Sequence, residues 1–420
     1  MSDTPVDPTP TDIETSEASA LNAERIPGEY TVVPVEPEKH EVEASAGPVT
    51  TPVVDDFEDD EDRGGLGTLS YRQLVWRRFR RSKLALVGLF TLALFYFVAL
   101  FAEFFAPYDY RHDNIRLRYV PPQQIRLSAA DGWHLPFIYE LKQGRDPESL
   151  ELFYTTDPAK RAPIQLFHHG DSYRLFGLIP SDIHLFGSDG PLFLLGTDRM
   201  GRDLLSRIIY GGRVSLTVGL VGVLISIVLG SFLGTLSGYL GGVIDTIMQR
   251  IIELLSAFPS IPLWMALAAA LPETWTGLQV YFGITLILSL LGWGGLARQV
   301  RGKVLAMRDQ DYVLASRAAG ANTRYILVRH MMPTAYSHII VIATLSIPGM
   351  ILGETALSFL GLGIRPPMTS WGVLLEEAQR VTVVLHYPWL LFAAVPVLVV
   401  VVAYNFVGDA LRDAADPYAS

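Results

Sequence analysis

"DYVLASRAAGANTRYILVRHMMP", Asp311 to Pro333, separates two long apolar runs with small residues, arginines, one glycine and a closing proline. Tyr312 to Ala319 is helix-permissive, Gly320 suits a left-handed helix terminus, Asn322 can cap a second helix, and Pro333 marks where the chain turns back into an apolar run. The stretch therefore predicts a helix-turn-helix lying between two membrane segments. Ala315, Ser316, Ala318 and Ala319 would let a partner approach closely, and Arg317, Arg324 and Arg329 offer charge-assisted contacts to an acidic partner. Asp311, Tyr312 and Ala321 complete this candidate contact surface.

The runs on either side decide the class. Half of the 420 residues are apolar, and they cluster in segments long enough to cross a bilayer. Six spans are expected: Leu84–Ala106, Val214–Leu236, Ile251–Leu271, Val280–Ala297, Ala335–Leu360 and Trp389–Val407. Five basic residues between Arg77 and Lys83 put the start of the first span in the cytoplasm by the positive-inside bias. Threading the spans in order then puts Ser237–Arg250, Arg298–Pro333 and both termini on that side. The charges agree, since Arg298–Arg329 carries seven basic residues against two acidic ones, whereas Gly361–Pro388 carries two of each sign.

The net charge of −10 belongs to a tail, because the first 62 residues hold eighteen Asp and Glu against two basic residues. Residues 1–66 have the composition of a disordered, self-repelling cytoplasmic segment. Their "DDFEDDED" resembles a calcium loop only superficially, lacking the glycine and the terminal glutamate at the required spacings. No charged n-region, apolar h-region and cleavage site opens the chain, so the first span is not expected to be a cleaved signal peptide. Residues 67–107 read as the basic flank and first transmembrane helix, and 196–420 as a core with the other five, its cytoplasmic loop running over 303–333.

Between these, residues 108–195 are rich in aromatics and prolines and read as an extracytoplasmic insert of short strands. It is either a cover over the outer face or a docking surface for a soluble partner. Trp133, Phe137, Tyr173 and Phe176 are expected to form its own small core. Its His168-His169 pair reads as solvated rather than metal-ligating, and the chain has no cysteine to supply a thiolate site.

Within the core, small residues recur every four positions at Gly222, Ser226, Gly230, Gly234, Gly238 and Gly242. In lipid such a face permits close helix packing, and it could also slide during a cycle. Two carboxylates fall in spans and must face protein or water. Glu253 lies one turn from Arg250 and reads as an ion pair. Glu354, deeper and beyond Pro348-Gly349, is a candidate for the pathway or gate, or a satisfied structural group. Ahead of the second span, Thr197 or Asp198 can cap a helix whose face of Leu204, Leu205, Ile208 and Ile209 suggests an interfacial amphipathic segment.

The Asp311–Pro333 stretch resembles the "EAA" loop of permease subunits in ATP-binding-cassette importers, with its small residues at Ala315 and Ser316, its glycine at Gly320 and its proline at Pro333. The signature glutamate falls at Leu314. Through "LGTDRMGRDLLSRIIYGGRVSL", "GYLGGVIDTIMQRIIELLSAFPSIP", "RHMMP", "ETALSFLGLGIRPP", "SWG" and "NFVGDALRDAADP" the chain resembles the C-type permeases of the dipeptide and oligopeptide importers. The resemblance covers nearly all of 70–107 and 195–420. It implies an all-α type I importer permease fold with six transmembrane helices. It also implies a second homologous permease, two ATPase subunits that use ATP and magnesium, an extracytoplasmic solute-binding protein, and a multi-pass place in a prokaryotic plasma membrane.

The residues themselves agree with that division of labour. "ARQVRGKV" has Gly302-Lys303, but Ala297 stands for the first glycine of a Walker A loop and Val304 for its hydroxyl residue. With no nucleophile elbow, no paired carboxylates and no metal constellation, the chain is expected to bind no cofactor and no nucleic acid and to do no bond chemistry. The alternative from another class is an ion-coupled secondary carrier, which would also use broken helices and intramembrane carboxylates.

Overall fold

A computed structural model describes residues 71–129, 132–145, 147 and 152–415; the acidic tail and the first residues of the basic flank lie outside the described residues. The chain opens with α1 (Tyr71–Arg81), α2 (Lys83–Leu100) and α3 (Ala102–Phe105). Ser82 separates the first two, its hydroxyl accepting from the amide of Ala85 as an N-cap. Strands β1 (Arg126–Ala129), β2 (Gly132–Arg145) and β3 (Leu152–Pro163) form an antiparallel sheet, and β4 (Gln165–Leu175) and β5 (Ile179–Gly187) a separate hairpin. There follow α4 (Leu204–Leu240), α5 (Gly242–Ser256), α6 (Ser260–Ala269), α7 (Gly277–Met307), α8 (Asp311–Ala318) and α9 (Thr323–Ile326). A π turn (Leu327–Met331) leads into α10 (Met332–Phe359), then α11 (Trp371–Glu376), α12 (Val381–His386) and α13 (Ala394–Ala415).

Among the described residues five helices are long and apolar enough to cross a membrane, and six if one bent pair counts as a crossing. The bent pair corrects the expected span Ile251–Leu271: α5 and α6 meet at 85°. Pro259 is the cause, standing in extended backbone (φ −58°, ψ 128°) ahead of α6, where its ring cannot continue the helix of α5. A second correction concerns the segment before the second span. Leu204, Leu205, Ile208 and Ile209 are not on a separate interfacial helix but in the first turns of α4, which runs 37 residues, about 55 Å at 1.5 Å per residue. Its cap is neither Thr197 nor Asp198 but Asp203, whose Oδ2 accepts from the amide of Ser206 at 2.7 Å.

The small-residue stripe explains the tightest packing in the bundle. Trp293, Ala297 and Arg301 recur on α7 with the same four-residue spacing as Gly230, Gly234 and Gly238 on α4. A Cβ on Gly230 would come within 2.9 Å of the Trp293 carbonyl, one on Gly238 within 2.8 Å of the Arg301 carbonyl, and one on Gly234 would overlap the Ala297 carbonyl. Backbone thus meets backbone at three successive turns, which only glycine permits. Ser226 donates to the Ser289 carbonyl at 3.0 Å, and Gly222 faces Met350 of α10 and Ser289. Gly242 does not belong to the stripe. It lies past the end of α4, faces open space and, with Gly241, holds positive φ (58° and 63°) in the turn to α5. Helical periodicity cannot be carried through a left-handed pair.

The insert is smaller in its core than its aromatics suggest. Ile138, Ala162 and Leu192 are buried against Ile164, Phe186 and Leu194. Phe137 is buried apart from them, against the Tyr139 ring with the Arg161 guanidinium over it, but Trp133 is 84% exposed and Phe176 half exposed, so these two do not fill a core. The strands of the insert also run to 14 residues, longer than its punctuation suggests. His169 pairs with Asp182 at 3.0 Å on the exposed face of the hairpin.

Candidate coupling surface

At the C-terminal end of α4, opposite the insert, the loop between α7 and α10 forms a projecting ledge. Helix α8 is anchored by Val313, fully buried among Tyr239, Val300, Val304, Met307, Ile326 and Met331. Around that anchor Asp311, Tyr312, Leu314, Ala315, Arg317, Ala318, Ala319 and Gly320 are exposed, with Ser316 and Ala321 half-buried. The helix stops in a Schellman motif: the amide of Ala321 donates to the Ser316 carbonyl at 3.0 Å and that of Gly320 to the Arg317 carbonyl at 2.9 Å. Gly320 holds φ +82° with no neighbour near a would-be Cβ, so its requirement is conformational rather than steric. Asn322 then caps α9 through a 2.8 Å bond from the Tyr325 amide.

Two expectations change here. Arg317 is committed inward as well as outward, since its Nε donates to the Tyr239 hydroxyl at 3.0 Å and its guanidinium lies 4.9 Å over that ring. Arg324 and Arg329 are exposed on α9 and the π turn. Pro333 does not turn the chain, because α9, the π turn and α10 make one apolar helix from Thr323 to Phe359. The wide π turn absorbs the register change at the point where proline removes an intrahelical donor: the amide of Met332 bonds to the Leu327 carbonyl, five residues back. His330 sits in this turn. Ser316 Oγ donates to the Tyr312 carbonyl at 2.9 Å, which leaves it accepting from His330 Nε2 at 3.1 Å, so α8 is tied to the base of α10.

The ledge is tied to the stripe as well. Arg301 of α7 makes a bidentate pair with Asp245 of α5, both bonds at 2.5 Å, and Asp245 also accepts from Ser237 of α4 at 2.5 Å. The turn that Gly241 and Gly242 permit is what brings Asp245 back to Ser237 and Arg301. Displacing α8 would therefore be felt through Tyr239 on α4, through His330 in the π turn at the base of α10 and, by way of α7, at Asp245.

This arrangement has relatives. Residues 215–419 match the family described as binding-protein-dependent transport system inner membrane component, and residues 70–122 match the N-terminal transmembrane domain of oligopeptide transport permease C. The dipeptide transport system permease protein of Bacillus subtilis is 32% identical over 350 residues, 83% of this chain and 87% of its own length. The oligopeptide transport system permease protein of the same organism is 32% identical over 359 residues, 85% of this chain and 93% of its own. The oligopeptide permease protein of Salmonella typhimurium is 44% identical over 223 residues, 53% of this chain and 71% of its own. The chain belongs to this permease family. It is a membrane transport component, and membership gives the ion-coupled carrier alternative no support.

In this permease the two intramembrane carboxylates part ways. Glu253 and Arg250 form an exposed pair at 2.6 Å. Glu354 is fully buried, accepting from Ser215 of α4 at 3.0 Å and from Ser358 one turn on at 2.7 Å. It sits inside the packing of α4 and α10, as a satisfied structural group does.

The far end of the permease holds a cluster that sequence reading passed over as a cap signal. Asp198 is buried and accepts from the amides of Met200 and Arg202 and from Arg202 Nε at 2.7 Å, and it pairs with Arg207 of α4. Thr197 accepts from Val120 and donates to the Leu117 carbonyl, stitching the start of the insert to its end. Glu377, beyond α11, accepts from the Arg199 amide at 2.8 Å; burial, with the Asp198 charge second, raises its carboxyl above the usual range. Glu377 borders a polar cavity of about 320 Å³ whose wall includes Arg111, Arg199, Arg202, Arg207 and Arg380, with Asp198 behind Arg202 and Arg207. The signal that could have found it is the run of aspartates and arginines over 198–207, whose charges are too many for a lipid-facing helix start.

Proposed function

We propose that this chain is one half of the translocation pathway of an ATP-driven importer of di- or oligopeptides. It pairs with a second homologous permease in a prokaryotic plasma membrane, with both termini in the cytoplasm. Two ATPase subunits, which bind and hydrolyse ATP with magnesium, grip α8, and a solute-binding protein delivers substrate to the opposite end. The chain itself binds no cofactor. The peptide class rests on the names of its relatives, which are dipeptide and oligopeptide permeases over most of their length. The observation that carries the coupling assignment is α8 itself: one fully buried side chain, Val313, anchors it, Ser316 and Arg317 tie it to His330 and Tyr239, a left-handed glycine ends it, and its other residues face outward.

Force on such a ledge acts as a lever. Asp311, Tyr312, Ala315, Ser316, Ala318 and Ala321 supply the contact, and Arg317 passes it to Tyr239 at the end of the stripe that runs from Gly238 to Gly222. Leu314, exposed where the related signature has a glutamate, offers an apolar contact in place of a charged one.

The test is a substitution at Gly320 in the assembled complex. Gly320→Val should leave membrane levels normal, because the site is open, yet uncouple ATP hydrolysis from uptake, because a β-branched residue is strained at this φ. Gly320→Asn, which tolerates left-handed backbone, should retain most transport. Full transport by the valine variant at normal expression would refute the coupling role.

A further inference from the structure

The β4–β5 hairpin carries an apolar tip that the importer reading leaves unused. The sequence from Leu175 to Pro180 is "LFGLIP", without a charge or a side-chain hydrogen-bonding group. Leu178 is 81% exposed, and Phe176 and Ile179 are exposed beside it. At the other end of the hairpin Leu166 and Phe167 are exposed too. In water such a surface costs stability and invites aggregation.

The rings connect this tip to an exposed, apolar side of the first membrane helix. Phe90 of α2 is 70% exposed and Phe97 half exposed, on a helix long and apolar enough to cross a membrane. Phe97 packs on Phe101 (centroids 4.9 Å apart), Phe101 on Phe176 (5.5 Å), and Phe104 on Phe167 (6.3 Å). A continuous aromatic path therefore runs from the membrane helix into the hairpin, at the depth where α2 ends and aromatic residues favour the bilayer interface.

The backbone adds an independent observation. Phe167 and Phe176 both hold positive φ (55° and 53°), a region uncommon for any residue with a Cβ and an outlier for a bulky one. Strain of this kind persists only where the surroundings favour it, and both residues are the ones that meet the α2–α3 rings. The turn also satisfies its own amides, Gly177 donating to the Arg174 carbonyl and Leu178 to the Leu175 carbonyl, each at 3.0 Å. That is a condition for backbone in contact with lipid. Arg174, exposed just before the apolar tip, can keep its charge at the headgroups while its stem lies along the apolar surface.

We propose that the β4–β5 hairpin is a membrane anchor: its tip, Phe176 to Ile179, inserts into the leaflet at the C-terminal end of α2, among the headgroup and upper acyl region. The occupant of its apolar face is lipid. The ring path makes this face continuous with the exposed apolar side of a membrane-spanning helix, whose surroundings are lipid over most of its length. The insert is thereby held at a fixed height over the outer end of the bundle, whichever substrate is carried.

The cysteine-free chain suits a direct test. Leu178→Cys and Ile179→Cys, spin-labelled in the full assembly in liposomes, are compared with Phe90→Cys as a lipid-facing position and exposed Thr155→Cys on β3 as a water-facing one. The unsubstituted assembly supplies the background. Collision with oxygen and with a water-soluble nickel chelate is then measured. The anchor predicts that both tip labels match Phe90, accessible to oxygen and several-fold less accessible to the chelate than Thr155. Chelate accessibility equal to that of Thr155 would overturn it, placing the tip in water. Shielding from both reagents would overturn it equally, because protein and not lipid would then cover the tip.

Discussion

Asp203 is a single carboxylate asked to do two incompatible things. As the N-cap of α4 it accepts from the Ser206 amide, a position where negative charge is welcome, yet it is buried and its Oδ1 has no hydrogen-bond partner. Burial dominates, with the nearby Asp198 charge adding to it, and the carboxyl is pushed up to about 7. The sign follows directly. A folded-state value above the unfolded one means that the native protein holds the proton more tightly, so stability is lost as pH rises toward and through 7. For a shift of this size the loss between pH 5 and 8 is about 2–3 kcal/mol. Asp203→Asn keeps an equally good cap without the charge. The thermal midpoint of the purified assembly should fall on going from pH 5 to pH 8, and the asparagine variant should remove most of that slope. An unchanged slope would show that another group titrates. The same tension explains why Asp203 was invisible in the sequence: Thr197, Asp198 and Asp203 are all acceptable caps, and only burial distinguishes them.

Among the elements, the insert is two structures rather than one. Residues 113–123 and 193–202 are laced together by Thr197, by the Asn114 amide donating to the Met200 carbonyl at 3.0 Å and by the Tyr119 amide donating to the Asp198 carbonyl at 3.1 Å, and they form the base of the insert. The sheet β1–β3 stands on that base with a core of a few residues, to which β5 contributes Phe186, while β4 also meets α3 through Phe167 on Phe104. Removing everything from Asp113 to Asp189 would break the base and confuse folding with docking. Replacing only residues 126–163 by a short flexible link leaves the base intact. If the insert docks a binding protein, that deletion should abolish stimulation of ATP hydrolysis by the binding protein and leave the basal rate within about twofold. If both rates persist, the sheet is a cover. Aromatic content could not separate these parts, because Trp133 and Phe137 stand four residues apart on β2, on the same face by strand period, yet only Phe137 is covered, and that depends on what packs over each end of the strand.

For the whole molecule, charge is distributed so that the acidic tail and the membrane core are separate problems. The first 62 residues hold eighteen acidic residues and show no apolar periodicity. Deleting residues 2–62 should leave substrate-stimulated ATP hydrolysis of the assembled complex nearly intact, and a severe loss in a well-expressed truncation would assign the tail a specific contact. The sequence by itself determined the membrane class, most of the crossings, the Gly320 terminus and the packing face from Gly222 to Gly238. Each of these is local: apolar run length, one residue's φ preference, and a four-residue period all act within a single helix. Only the tertiary structure decided that Pro259 breaks the third crossing at 85°, that Pro333 sits inside a continuous helix behind a π turn, and that Gly242 leaves the stripe. It alone buried Glu354 between Ser215 and Ser358, which lie 139 residues before it and four after it. A proline can end, bend or join a helix, and a carboxylate can line a path or be walled in; what chooses is the set of neighbours, and those come from distant parts of the chain.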